Sequence, residues 1–280
     1  GPLEEEKLID IIDQFDAVIC GDDAYTRKVI ERGASGNLKI LSKYGVGLDR
    51  IDLKAAKEFG IKVTNCPGIN QNSVAEHVYA LLLSFEKNIH TQFNSVRQFS
   101  WKRQIGHEIF GKTLGIIGFG AIGKEVARIA QAFKQKIIIY DPFVKEDVAK
   151  LFSNTEKTTD LLKLFKESDY ITLHTPLNPE TKHIINLEVI NNQLKKKPVI
   201  INTARAGLVD TDAIIYGVKT KKISGYLCDV LDKEPVTKDE KLIGVENVII
   251  TPHVGSRTYE NVVNQGCKAV KNVIDLINLL

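Results

Sequence analysis

The stretch Lys112-Thr113-Leu114-Gly115-Ile116-Ile117-Gly118-Phe119-Gly120-Ala121-Ile122-Gly123-Lys124 decides the fold. An apolar run of strand type enters Gly118-x-Gly120-x-x-Gly123, and a helical pattern follows to Ala132. Gly118 permits the tight turn, Gly120 lets the backbone approach a pyrophosphate, and Gly123 lets helix and strand pack closely. The phosphates would sit on the free N–H groups at the start of the helix, in the turn that also carries Ile122. A glycine-rich turn can be only a turn, but the flanks narrow the reading. Ile137–Tyr140 reads as a second strand and ends at Asp141, 18 residues beyond Gly123. A carboxylate there can accept bonds from the adenosine ribose hydroxyls. Asp141 also repels a 2′-phosphate, and Pro142-Phe143 supplies no arginine to bind one, so the pattern predicts NAD rather than NADP.

Outward from this turn, short apolar runs alternate with amphipathic stretches. Residues 17–20, 38–41, 61–63, 114–117, 137–139, 170–173, 199–201 and 248–250 read as strands, with helical patterns such as 123–132 and 160–166 between them. Such alternation implies βαβ units and a parallel sheet, an α/β protein with a Rossmann-type doubly wound core. One long helix is expected over about 73–98, with Ala75, Val78, Leu81, Leu82 and Phe85 as its apolar stripe. Ser73-Val74-Ala75-Glu76 fits a capping box at its start.

Composition excludes several classes. The 280 residues suit two domains, and 38 basic against 35 acidic side chains leave a net charge of +3, too small to argue for nucleic acid or a membrane surface. Cys20, Cys66, Cys228 and Cys267 form no CxxC pair, so neither a disulfide framework nor a metal site is expected, and free thiols fit a cytoplasmic location. No apolar stretch approaches the roughly 18–20 residues of a membrane span. The chain begins Gly1-Pro2-Leu3 and contains no methionine.

Three polar residues follow apolar strands downstream of the glycine turn: Arg205 after Val199–Asn202, Glu234 after Cys228-Asp229-Val230-Leu231, and His253 after Val248-Ile249-Ile250-Thr251-Pro252. Ligands of open parallel sheets bind beyond the carboxyl ends of strands. A planar guanidinium can hold a carboxylate bidentately, an imidazole can exchange a hydroxyl proton near neutral pH, and a carboxylate can orient that imidazole and favour its cation. Each residue also has a bland reading, as a surface ion pair, a loop marker or a strand end. Together, behind a dinucleotide turn, they suit hydride transfer to or from a small 2-hydroxy acid. His77, His90, His107, His174 and His183 lack such context and read as structural or solvated.

These motifs resemble the D-isomer-specific 2-hydroxyacid dehydrogenases. Four segments carry the likeness: Tyr44–Asp52 with Asn65-Cys66-Pro67-Gly68, the glycine turn, Asn202–Gly207, and Asp229 through His253. The resemblance implies that Arg205 binds substrate, Glu234 supports the histidine and His253 is the acid/base. It places Asp229 at the nicotinamide carboxamide, Thr175, Pro176, Thr203, Ala204 and Gly255 along the cofactor, and the backbone N–H groups of Val46 and Gly47 at the substrate carboxylate. Ala206 and Leu231 depart mildly from the family pattern. Lys43-Tyr44-Gly45-Val46-Gly47 looks most like the phosphoglycerate dehydrogenase branch, in which Lys43 could help hold a phosphate. Glyoxylate or hydroxypyruvate reduction is the alternative substrate reading, and an NAD-sensing corepressor-like binding protein is the rival from another class.

The resemblance further implies a cofactor domain over 70–255 and a smaller flavodoxin-like substrate lobe from 1–69 with 256–280. The apolar stripe of the final helix, from Val262 to Ile277, would pack on that lobe. A homodimer is expected through the long helix and its following segment, with Phe93, Phe99 and Trp101. Only three strands precede Pro67, where a flavodoxin-like lobe has five, so the natural protein is expected to extend N-terminally by roughly 40–50 residues, enough for a βαβ unit.

Overall fold

The computed structural model describes residues 3–279. In chain order the elements are α1 (Glu5–Ile11), β1 (Ala17–Cys20), α2 (Arg27–Ser35), β2 (Ile40–Lys43), α3 (Leu53–Glu58), β3 (Lys62–Thr64), α4 (Gln71–Glu86) and α5 (Ile89–Arg97). Then follow β4 (Thr113–Ile117), α6 (Ala121–Ala132), β5 (Lys136–Tyr140), α7 (Glu146–Ala149), β6 (Thr155–Thr158), α8 (Leu161–Glu167) and β7 (Tyr170–Leu173). The chain ends with β8 (Val199–Asn202), α9 (Thr211–Lys219), β9 (Gly225–Cys228), β10 (Val248–Ile250) and α10 (Tyr259–Ile277). Contacts divide it into one unit of residues 1–70 with 257–280 and a larger unit of 71–256.

The larger unit holds a seven-stranded sheet in the order β10-β9-β8-β7-β4-β5-β6, parallel throughout. Successive residues of a strand face opposite sides. Ile137 and Ile139 enter the core beneath α4 and α6, while Ile138 enters the core beneath α8 and α9. Burial of each such side chain contributes about 1.5–3 kcal/mol, which explains why the strands read as near-continuous apolar runs. Two strands escaped the sequence reading. The edge strand β6, Thr155-Glu156-Lys157-Thr158, has no fully buried residue and therefore no apolar run. β9 is fully buried, but its apolar run is only Tyr226-Leu227-Cys228 behind Gly225.

The long helix expected over 73–98 is two helices. α4 starts at Gln71, so Ser73 lies inside its first turn rather than at its N-cap. α4 ends at Glu86 because Asn88 takes a left-handed conformation, φ 52°, which asparagine tolerates better than most residues. The Asn88 amide then donates to the Ile105 carbonyl, and α5 starts afresh.

The smaller unit is a three-stranded parallel sheet in the order β1-β2-β3. Its core gathers Leu8 and Ile12, Val29 and Ile30 of α2, Leu41 of β2, and Ala55 and Ala56 of α3. α10 packs on β2 and β1, but most of its expected apolar stripe is exposed. Asn261, Gln265, Ala269 and Asn272 are its buried face, while Val263, Val270, Ile274 and Ile277 are exposed. Polar contacts account for this: the Ser42 hydroxyl donates to the Ala269 carbonyl at 2.9 Å, and the Asn272 amide donates to the Asn65 carbonyl at 2.8 Å.

Candidate active site

Every candidate site residue of the larger unit lies in a loop just after a strand of the parallel sheet, or in the first turn of the helix that the loop enters. The glycine turn follows β4 and Asp141 follows β5. Thr175 and Pro176 follow β7, Thr203–Arg205 follow β8, Asp229 follows β9, and His253 follows β10. β4 leads outward to β5 and β6 on one side, while β7 begins the run to β10 on the other. The strand order therefore reverses beside the glycine turn, which is where open sheets bind ligands.

The turn itself fits a dinucleotide. Gly118 has φ +92°, and a Cβ there would lie 2.5 Å from the His174 carbonyl oxygen. A Cβ on Gly123 would lie 2.4 Å from the Gly118 carbonyl. At Gly120 a Cβ would meet nothing within 4 Å, so the open side is the one a pyrophosphate would use, directly before the first turn of α6. Within that turn Gly123 is buried, and Ile122 packs partly buried on the core. Asp141 supports this loop: Oδ2 accepts from Phe119 N at 2.7 Å, and Oδ1 accepts from Phe143 N and Val144 N. Thr203 Oγ1 is buried and has no hydrogen-bond partner among the described residues, a polar atom that a bound cofactor could satisfy. Thr175 is half-buried, and the Pro176 carbonyl accepts from the Thr181 hydroxyl.

The loop after β8 is clamped by Asn202, whose Oδ1 accepts from Ala204 N and whose amide donates to the Arg205 carbonyl. Arg205 is partly buried and turns one guanidinium N–H to the Ala204 carbonyl at 2.7 Å. His253 and Glu234 form the central pair. His253 Nδ1 lies 2.7 Å from Glu234 Oε2, and Glu234 Oε1 accepts from Leu231 N at 2.9 Å. A carboxylate only accepts, so Nδ1 carries the proton and Nε2 is the atom that exchanges one. The hydrogen bond to Glu234 is the largest cause holding the His253 pKa above its ordinary value. Burial opposes it, the charge of Asp229 adds to it, and Arg205 pulls the other way.

Asp229 is tied to the segment that follows β10. Its carboxylate is turned inward, 2% exposed, and accepts from the Thr251 hydroxyl, Val254 N and Gly255 N. Of the roughly four acceptor sites on a carboxylate, three are taken by the segment that carries His253. Gly255 is buried against this carboxylate: a Cβ there would lie 2.9 Å from Asp229 Oδ2. His77, read from sequence as structural or solvated, stands beside Thr251 and Asp229. No local signal marks it, because its partner Thr251 lies 174 residues further along the chain. His174 bonds the Thr172 hydroxyl at 2.9 Å, and burial pushes its pKa down to about 3, so it stays neutral.

In the smaller unit, Val46 and Gly47 lie in the loop after β2, with the Val46 carbonyl accepting from the Asn65 amide. Lys43 is not free for a phosphate. It is buried, with its ammonium 2.6 Å from Asp22 and bonded to the Gly21 carbonyl. Among the described residues no group of three or more His, Cys, Asp or Glu could hold a metal ion, and no helix is long and apolar enough to cross a membrane.

Residues 79–255 match the family described as D-isomer specific 2-hydroxyacid dehydrogenase, NAD binding domain. The chain is 41% identical to the hydroxypyruvate reductase of Thermotoga maritima over 276 residues, covering 97% of this chain and 88% of that one. It is 42% identical to the D-3-phosphoglycerate dehydrogenase of Methanocaldococcus jannaschii over 262 residues, 93% of this chain but 49% of that protein. The chain thus spans about half the length of that dehydrogenase. Among solved structures, D-lactate dehydrogenase from Aquifex aeolicus, complexed with NAD and lactic acid, matches with TM-score 0.86 and 31% identity, covering 96% of this chain and 85% of that one.

Proposed function

Because the chain belongs to the D-isomer-specific 2-hydroxyacid dehydrogenases, a family of NAD-dependent oxidoreductases, we propose that it reduces a small unphosphorylated 2-oxo acid such as hydroxypyruvate or glyoxylate. A nicotinamide, when bound, would supply the hydride in reduction and receive it in oxidation. The chain supplies the rest. Arg205 holds the substrate carboxylate. His253 Nε2 delivers a proton to the carbonyl oxygen in reduction, or takes the hydroxyl proton in oxidation. Glu234 keeps Nδ1 protonated and favours the imidazolium. Gly118, Gly120, Ile122, Gly123, Asp141, Thr175, Pro176, Thr203, Ala204 and Gly255 hold NAD, with Asp141 selecting against a 2′-phosphate.

The observation that carries the chemistry is the His253–Glu234 contact at 2.7 Å. A proton-transfer pair favours an enzyme over a protein that only senses NAD. The observation that favours an unphosphorylated substrate is the Lys43–Asp22 ion pair, since the charge that could serve a phosphate is already neutralised. Absorbance at the nicotinamide band with hydroxypyruvate, glyoxylate, pyruvate and the phosphorylated form of hydroxypyruvate tests both. Higher kcat/KM for the phosphorylated acid would overturn the substrate reading.

We also infer a homodimer formed through α5 and the segment after it. Phe99 is 101% exposed and Trp101 82% exposed, with Phe93 and Ile105 beside them in sequence. Apolar groups this exposed mark an interaction surface. Three of the four free cysteines are buried, which suits a reducing, cytoplasmic setting.

A further inference from the structure

His77, on α4, is a residue that the chemistry above does not use. Its Nε2 lies 2.9 Å from Thr251 Oγ1 and 3.4 Å from Asp229 Oδ1. Proton counting fixes the direction of these contacts. Asp229 only accepts, and the Thr251 hydroxyl gives its single proton to Asp229 Oδ1 at 2.6 Å. Thr251 Oγ1 must therefore accept from His77, and His77 carries its proton on Nε2. A directed chain runs from His77 through Thr251 to Asp229.

The far end of that chain is the acid/base segment. Asp229 accepts from Val254 N at 2.9 Å and Gly255 N at 2.7 Å, the two residues that follow His253. His253 itself sits at φ 53°, a left-handed conformation that a non-glycine residue keeps only where its surroundings hold it. The hydrogen bonds from residues 254 and 255 hold it from one side, and the 2.7 Å contact to Glu234 holds the ring from the other. His77 is a polar side chain by which α4 reaches this geometry.

We propose that His77 is a positioning residue for the acid/base: its Nε2–H fixes the Thr251–Asp229 pair, and that pair fixes the backbone that aims His253 at Glu234. The proposal rests on the reading of His253 as the proton-exchanging group. The charged groups around His253 are Glu234, Asp229 and Arg205. Loss of the His77 donor slackens the segment, lengthens the Glu234 contact, and so lowers the His253 titration midpoint.

The test starts with the wild-type protein without cofactor, labelled with ¹⁵N at histidine. His77 is expected as the Nε2–H tautomer at neutral pH, and an Nδ1–H tautomer would overturn the proposal without any variant. His77→Leu should then lower the His253 midpoint in the same spectra and lower kcat by about ten- to a hundred-fold, the scale of a small misplacement of a catalytic group. His77→Gln keeps an N–H donor and should recover most of both. If the leucine variant does not fold, Thr251→Val breaks the same chain and should show the same two changes. Leucine and glutamine variants that behave alike, or an unmoved midpoint, would sink the proposal. A wild-type protein inactive on every 2-oxo acid would instead count against the dehydrogenase reading, while the tautomer and midpoint would still report on His77.

Discussion

His253 Nδ1 lies 2.7 Å from Glu234 Oε2, across a gap of 19 residues that the loop after β9 and the strand β10 close. Because Glu234 raises the His253 pKa, the two directions of reaction should respond oppositely to pH. Reduction needs the imidazolium and should fade as pH rises through the raised value. Oxidation needs the neutral ring and should fade as pH falls through it. Glu234→Gln removes the main cause of the shift, so both limbs should move to lower pH. Profiles of kcat/KM in both directions check this, and unmoved limbs would remove Glu234 from the mechanism.

His253→Ala and Arg205→Ala should fail differently. Loss of a general acid/base costs about 10²–10⁴ in rate, so His253→Ala should drop kcat while substrate affinity changes little. Arg205→Ala removes the carboxylate fork and should raise KM and lower kcat together, leaving NAD affinity nearly intact. Steady-state kinetics with fluorescence titration of NADH separate the two. Near-normal turnover in His253→Ala would refute its role.

Two glycines of the dinucleotide turn should separate folding from binding. Gly118→Ala puts a Cβ 2.5 Å from a backbone oxygen at φ +92°, which should cost about 1–3 kcal/mol of stability. At Gly120, φ −74°, a Cβ meets nothing within 4 Å, so the melting temperature of Gly120→Ala should stay near wild type while NAD affinity falls. Thermal melts with and without NAD measure both effects. Unchanged NAD affinity in the Gly120 variant would show that the open side of Gly120 is not the cofactor side.

Phe99→Asp combined with Trp101→Asp should convert a dimer to a monomer, because charge on an apolar contact surface opposes burial. Sedimentation velocity at micromolar concentration reads the change. A wild-type protein that is already monomeric would refute the dimer.

The sequence by itself determined the local, backbone-dictated features. The glycine turn, the alternation of β and α elements, and Asp141 at the end of β5 all depend on residues within about 30 positions of one another, where φ preference and apolar periodicity act directly. Arg205, Glu234 and His253 were legible because each follows a strand in a recognisable local motif. Tertiary structure decided what depends on partners far away in the chain. The break at Asn88 involves its bond to Ile105, and the polar buried face of α10 answers Ser42 and Asn65. Lys43 is neutralised by Asp22 on another strand's loop. Asp229 is turned inward because Thr251, Val254 and Gly255 supply it with donors, and His77 joins them from α4. A buried carboxylate must collect its hydrogen bonds from whatever the fold brings to it, and no sequence period records which residues those are.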